Sequence, residues 1–331
     1  METQNDFKNI YNEYLSKVEE KLEKTVKDKV PSSLYEPFHY LITGGGKRIR
    51  PVLTMLSCGA VGGNPLDALD AGVAIEILHN FTLVHDDIMD KSPIRRNRPT
   101  VHIKWNEASA ILTGDVMVGY AYSLLPSAAE HPRSDEIIKT FTRGLIEVCE
   151  GQAFDMNFNE NVCVSFDDYL LMIDKKTAKI IETSALIGGH FGNAKKEELE
   201  ALKSYAHAVG IAFQIQDDLL DLTAEQDELG KTIGQDIVEG KKTFLIIKAI
   251  EAVQNEEDKA LLNEFLAHRG LSSDKVPVMK KMLNRLGVIK EARNEADKYF
   301  SIAKKHLEKL PGNQSTQMLG WLLETLNKRK Q

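Results

Sequence analysis

The chain has 331 residues, 42% hydrophobic and 27% charged, with a formal net charge of −7. That length supports a sizeable core in one or two domains, and the composition is ordinary for a soluble globular protein. The negative balance argues against nucleic acid as a partner, although a local basic cluster can still hold a small anion.

Apolar residues recur with helical spacing from the start. Asp6 to Lys27 reads as an amphipathic helix with Ile10, Tyr14, Leu15, Val18 and Leu22 on one side. Pro31-Ser-Ser breaks it. Leu34 to Ile42 is a short helix stopped by Gly44-Gly-Gly, and Pro51 opens the next, Val52 to Val61. After a Gly-Gly-Asn-Pro turn, Asp67 to Asp90 is the long central helix, followed by a basic loop from Ser92 to Pro99. Ile103 to Leu125 predicts one or two buried helices, and Asp135 to Phe158 another long one. Ser165 can cap a helix over Tyr169 to Phe191. Lys195 to Leu222 is helical, Thr223 to Gly240 is a glycine-punctuated loop, and Lys242 to Val253 with shorter helices completes the chain. Strand-like alternation is scarce and no Pro/Ser/Gly-rich linker divides the sequence. The expected fold class is all-α, a single helical domain over residues 1–331 around a central cavity.

Three widely spaced cysteines, Cys58, Cys149 and Cys163, suggest reduced thiols rather than a disulfide framework or a zinc site. The opening METQNDFKNI has no basic stretch leading into an apolar one, so no leader is expected. No apolar run approaches the roughly 18 residues of a spanning helix. The expected location is cytoplasmic.

The central helix ends in FTLVHDDIMD. Asp86 and Asp90 are four apart and share one face, with Asp87 about 100° round the axis. A helix C-terminus already carries partial negative charge, so three carboxylates there call for an external cation. One such motif is weak evidence in a chain with 49 acidic residues, where it can be a solvated face. A second copy, Asp217 to Asp221, closes another apolar helix. If the two helices pack side by side, six carboxylates face one cavity. Such a cavity suits a hard divalent ion, and Mg²⁺ fits where one or two carboxylates share it with water and substrate phosphates.

Basic groups bracket both motifs. Gly44-Gly-Gly-Lys-Arg-Ile-Arg-Pro is not a Walker loop, but a flexible turn there can set Lys47 and Arg50 on a phosphate. Arg95-Arg96-Asn-Arg98 follows the first motif. Gly230-Lys231 and Gly240-Lys241-Lys242 follow the second, and Lys176-Thr177 lies in a helix between them. Each alone can be a solvated surface; together they point to diphosphates held by metal and by Lys and Arg. The sequence offers no HExxH, EF-hand, Ser-His-Asp or Cys-His pattern.

These ordered motifs, GGGKRIRP, LVHDDIMD, RRNRPTVH, GQAFD, KTA, FQIQDDLLD, GKTIGQD and EGKKT, resemble the trans-isoprenyl diphosphate synthase (polyprenyl synthetase) family from Gly44 to about Ala249. The resemblance implies an isoprenoid-synthase fold, a homodimer, and head-to-tail joining of isopentenyl diphosphate to an allylic diphosphate with release of pyrophosphate. It implies that Lys47, Arg50, His79 and Arg96 hold isopentenyl diphosphate, and that Arg95, Lys176, Lys231 and Lys241 hold the allylic diphosphate. Asp86 and Asp90 would bind two Mg²⁺ and Asp217 a third, with Asp87 and Asp221 supporting the metal shell. Thr177 and Gln214 would face the developing allylic cation, and Gln152 and Asp155 match a pair near the site. Two positions depart from the pattern: Asn97 stands where the family often has Gly, and Phe244-Leu245 where Leu-Pro is common.

Phe81 precedes Asp86 by five residues, about 7–8 Å along a helix axis. Ordinary core packing accounts for an aromatic there. The resemblance makes it instead the floor that stops chain growth, and Thr82 beside it is small. This leans toward geranylgeranyl diphosphate as product, with farnesyl diphosphate as the alternative. A terpene cyclase, a regulatory subunit and a metal-buffering scaffold fit less well, because both aspartate motifs and their cationic partners are intact.

Overall fold

The computed structural model describes residues 2–127, 129–160, 164–223 and 234–328. Lys231, Cys163, most of the loop after the second acidic motif and the last three residues lie outside them. Among the described residues the helices are α1 (Glu2–Val26), α2 (Ser32–Ile42), α3 (Ile49–Ala60), α4 (Leu69–Met89), α5 (Val101–Lys104), α6 (Glu107–Ser123), α7 (Ser134–Glu160), α8 (Phe166–Ile173), α9 (Lys179–Phe191) and α10 (Lys196–Thr223). They continue as α11 (Gln235–Val238), α12 (Phe244–Ala252), α13 (Glu256–His268), α14 (Val276–Arg285), α15 (Val288–Leu307) and α16 (Gln314–Asn327). No described helix is long and apolar enough to cross a membrane. The all-α expectation holds, and the helix bounds fall close to those the apolar spacing predicts.

Three local features differ from the sequence reading. The basic loop folds into a two-residue antiparallel ladder, β1 (Ile94–Arg95) and β2 (Arg98–Pro99). Its central residues Arg96 and Asn97 both have positive φ, 51° and 57°, the pattern of a type I′ turn. Asn tolerates that region better than most side chains, which explains how it replaces a glycine. The helix expected over Tyr169 to Phe191 is interrupted by a π-turn at Asp174–Ala178, where Lys179 N–H donates to Asp174 O, five residues back. A 3₁₀ turn at Pro65–Ala68 precedes α4.

Contacts group the chain into two compact units. The first comprises Met1–Ile146, Ile180–Ala206 and Lys304–Leu323. Its core is α4, buried on almost every side from Ala71 to Leu78 and packed by α1, α3 and α6. That burial explains an apolar run with no polar face. The second comprises Glu147–Lys179, His207–Ala303 and Glu324–Gln331. There Tyr169, Phe244, Ile211, Ile215, Leu219, Phe265 and Leu283 are buried, and Phe166, Tyr169 and Phe244 form an aromatic cluster. The helix following Ser165 has the predicted cap: Asp168 N donates to Ser165 Oγ and Ser165 N to Asp168 Oδ2, both at 3.1 Å.

Candidate active site

The first acidic cluster sits where α4 stops. Ser92 N donates to Asp87 O and Lys91 N to Ile88 O, with Lys91 at φ 52°, the bond pattern of a Schellman close. The helix end therefore satisfies these carbonyls locally, and the carboxylates remain as its chemistry. Asp90 is exposed, Asp86 half-buried and Asp87 only 1% exposed. Arg95 Nε donates to Asp87 Oδ1 at 2.7 Å. Burial pushes the Asp87 carboxyl above its usual range despite that guanidinium.

Beside it lies a cationic cluster built by α3, α4 and the hairpin. Arg48, at φ 47°, gives its guanidinium to Glu76 (2.7 Å), Glu19 (2.8 Å) and the Ile42 carbonyl. It is thereby committed to holding the glycine loop against α1 and α4. Tyr11 OH, also on α1, donates to the Lys47 carbonyl. Arg96 Nη1 donates to Gly45 O at 2.5 Å, and a Cβ on Gly46 would stand 3.5 Å from that guanidinium. Arg50 Nε is buried with no hydrogen-bond partner. Burial, then the charges of Arg50, Arg96, Arg95 and Arg48, hold the His79 imidazole well below its usual range. Burial likewise lowers Arg50 and Arg96. Such an arrangement wants an anion. A small cleft lined by Gly44, Asn80, Leu83, Asp87, Arg95 and Arg96 lies alongside.

Phe81 is half-buried. Its ring meets His85 edge-on, with centroids 4.8 Å apart and planes at 65°. His85 Nε2 lies 3.3 Å from Ile111 O and fills the notch over Gly114, where a Cβ would approach to 2.2 Å.

The second cluster is organised by α10, the π-turn and α12. Asp217 is exposed, whereas Asp218 and Asp221 are buried. Asp218 accepts from Tyr169 OH (2.7 Å), Gln214 Nε2 (3.0 Å) and Phe244 N (3.2 Å). Burial, and then the charge of Asp236, pushes its carboxyl up to about 7. The Phe244 N–H is the first of α12, so α12 starts on Asp218 and needs no proline at Leu245. Asp221 Oδ2 accepts from Asp236 N at 3.1 Å, and its carbonyl accepts from Gly234 N. Thr177 Oγ1 donates to Gln214 Oε1 at 2.7 Å. With its proton so engaged, the Thr177 oxygen presents lone pairs, the right polarity to face a cation. Lys176 Nζ pairs with Asp155 at 2.5 Å, and Lys241 with Glu239 (2.9 Å) and Asp236 (3.6 Å). Gln152 is buried on α7.

A model of the polyprenyl synthetase family matches residues 31–284. The chain belongs to that family. It is 40% identical over 300 residues to the geranylgeranyl diphosphate synthase of Sulfolobus acidocaldarius, covering 90% of each chain. It is 36% identical over 323 residues to a short chain isoprenyl diphosphate synthase of Methanothermobacter thermautotrophicus, covering 97% of this chain and 98% of the relative. Its fold is that of the geranylgeranyl pyrophosphate synthetase of Pyrococcus horikoshii, with a TM-score of 0.91, 34% identity and coverage of 98% and 99%. The isoprenoid-synthase helical bundle expected from the motifs is therefore correct.

Within the first unit, Arg50, His79, Arg95, Arg96 and Asp87 lie together. Within the second, Lys176, Thr177 and Gln214 gather around the Asp155 and Asp218 carboxylates. Lys231 lies outside the described residues. Sequence reasoning missed Glu76, whose signal was a lone acid inside an apolar helix, and Asp218, hidden as the second letter of DDLLD. Among the described residues no three His, Cys, Asp or Glu side chains converge closely enough to hold a metal alone. An ion at Asp86 and Asp90 would draw its other oxygens from water and phosphate, which is the habit of Mg²⁺.

Proposed function

We propose that this chain is a Mg²⁺-dependent trans-prenyltransferase. It joins isopentenyl diphosphate head-to-tail to an allylic diphosphate, releases pyrophosphate and makes geranylgeranyl diphosphate. The observation that carries the reading is the Arg50–His79–Arg96 cluster: a buried guanidinium nitrogen without a partner, a neutral imidazole, and further arginines, of which Arg95 pairs with Asp87 of the first acidic motif. A diphosphate satisfies these groups, and arginine can bind it bidentately.

In this reading Lys47, Arg50, His79 and Arg96 hold isopentenyl diphosphate. Arg95, Lys176, Lys231 and Lys241 hold the allylic diphosphate. Asp86, Asp90 and Asp217 take Mg²⁺, three ions in the substrate complex, with Asp87 and Asp221 behind them. When bound, the ions neutralise charge growing on the leaving diphosphate. The allylic C–O bond breaks with both electrons going to that diphosphate, and Lys176 stabilises the charge. Thr177 and Gln214 turn oxygen lone pairs toward the allylic cation. The isopentenyl double bond supplies the electron pair of the new C–C bond, and loss of a proton, which pyrophosphate can accept, restores an alkene. Exclusion of water protects the cation. Residues 1–331 act as one catalytic domain, in the cytoplasm and as a homodimer.

Incubation with labelled isopentenyl diphosphate, Mg²⁺ and dimethylallyl, geranyl or farnesyl diphosphate tests the reading. A twenty-carbon diphosphate is the expected product. A fifteen-carbon product would replace it with farnesyl diphosphate synthesis, and no chain growth from any primer would reject the function.

A further inference from the structure

The π-turn is gripped by two glycines that carry no part of the chemistry. On α7, a Cβ added to Gly151 would stand 2.3 Å from Lys176 N, 2.6 Å from Lys176 Cα and 2.7 Å from Lys175 C. On α10, a Cβ at Gly210 would stand 2.4 Å from Ala178 Cα and 2.6 Å from Ala178 Cβ. Nearly all of these are backbone atoms of a hydrogen-bonded turn, so they cannot swing aside as a long side chain could. Other helical glycines vary: a Cβ at Gly188 on α9 would stand 2.1 Å from Thr54 O, whereas Gly119 on α6 has nothing within 4 Å of its added Cβ. A glycine inside a helix is less favourable than alanine, so two against one five-residue turn call for a reason.

The reason lies in what the turn presents. A π-turn fits one extra residue into a helix and so rotates the side chains that follow it. Here Asp174 meets His207 on α10 (3.0 Å), while Lys175 reaches Glu147 and Glu150 on α7. Lys176 then meets Asp155 on α7, and its neighbour Thr177 meets Gln214 on α10. Four consecutive residues thus make polar contacts with two helices. The turn's backbone lies closer to both helices than a Cβ on Gly151 or Gly210 would allow.

We propose that Gly151 and Gly210 are positioning residues for the prenyl transfer. By admitting the π-turn backbone against α7 and α10, they set where Lys176 Nζ and Thr177 Oγ1 stand. The inference rests on the roles given above to Lys176 and Thr177. It concerns the glycines and the turn, not the two functional side chains themselves.

The test compares Gly151→Ala, Gly210→Ala, Lys176→Gln and Thr177→Val in the full chain, with circular dichroism and melting curves confirming folding. Each glycine variant is expected to fold, to lose roughly 10- to 100-fold in kcat and to raise KM for the allylic substrate, while KM for isopentenyl diphosphate stays within about twofold. A merely structural glycine would lower the melting temperature without that split between the two substrates. Folded glycine variants with wild-type kinetics, beside an impaired Lys176→Gln, would overturn the inference and leave the proposed function standing. Wild-type kinetics in Lys176→Gln and Thr177→Val would instead remove the roles on which it rests. Failure of both glycine variants to fold would also overturn it, by assigning these glycines to folding alone.

Discussion

Arg95 Nε stands 2.7 Å from Asp87 Oδ1, and this ion pair sets Asp87 apart from the other two carboxylates of the first motif. Asp87 is buried and engaged, whereas Asp86 is half-buried and Asp90 exposed. Asp86→Asn and Asp90→Asn are therefore expected to lower kcat by on the order of 10²–10³ with little change in melting temperature. Arg95→Ala leaves a buried carboxylate without its partner, and about 3–5 kcal/mol of destabilisation is expected by urea denaturation. Equal stability of wild type and Arg95→Ala would remove the structural half of this division.

Much of this was legible in the sequence because period 3.6 and the order of the motifs are local signals. The ends of α4 and α10, the glycine stop after α2 and the Ser165 cap all follow from such signals. What was not legible depends on packing. Nothing in KKTAK announces a π-turn, since the backbone it packs against, at Gly151 and Gly210, lies far from it in the sequence. Arg48 reads like its basic neighbours, yet its guanidinium is bound to Glu76 and Glu19, so it serves the loop rather than a ligand. Asp218 reads like a third metal-facing acid, and only α12 and Tyr169 reveal it as an interior acceptor.

Asp218 makes stability depend on pH. Its carboxyl is pushed up to about 7 from 3.8, by burial first and Asp236 second. Between those values the folded chain keeps a proton that the unfolded chain has released. Stability is thus greatest below the lower value, falls as pH rises through the window and levels off above about 7. The ceiling on this contribution is about 4 kcal/mol, at 1.36 kcal/mol per pKa unit. Urea midpoints measured in EDTA between pH 4 and 8 should fall more steeply for wild type than for Asp218→Asn. Parallel slopes would show that Asp218 does not titrate in that window.

His79 carries the opposite sign. Burial and the surrounding guanidiniums hold it well below 6.5, so below that pH the unfolded chain takes up a proton that the folded chain refuses. Its contribution to stability is present above about 6.5 and is lost as pH falls. A bound diphosphate offsets the guanidiniums and lets the imidazole take its proton. Calorimetry of isopentenyl diphosphate binding near pH 6, in buffers of different ionisation enthalpy, should show proton uptake that His79→Gln reduces. Identical apparent enthalpies in all buffers for the wild-type chain would refute this.

Phe81 sets the last expectation. Its ring lies edge-on to His85, and His85 is lodged over Gly114 against the Ile111 carbonyl, so the aromatic is braced from α6 rather than free to turn. Phe81 sits five residues before Asp86, about 7–8 Å along α4, and in the proposed reaction a chain growing toward the start of α4 meets that ring. Phe81→Ser removes the obstruction and leaves His85 in its notch. Its products should be longer than twenty carbons, by one or more five-carbon units, with folding and total isopentenyl incorporation largely retained. His85→Ala loosens the brace without removing the ring, so its products should be mixed, with the twenty-carbon chain still prominent. Reverse-phase chromatography of dephosphorylated products reads both. An unaltered distribution in Phe81→Ser would return this aromatic to ordinary packing and move the length-setting wall elsewhere in the fold.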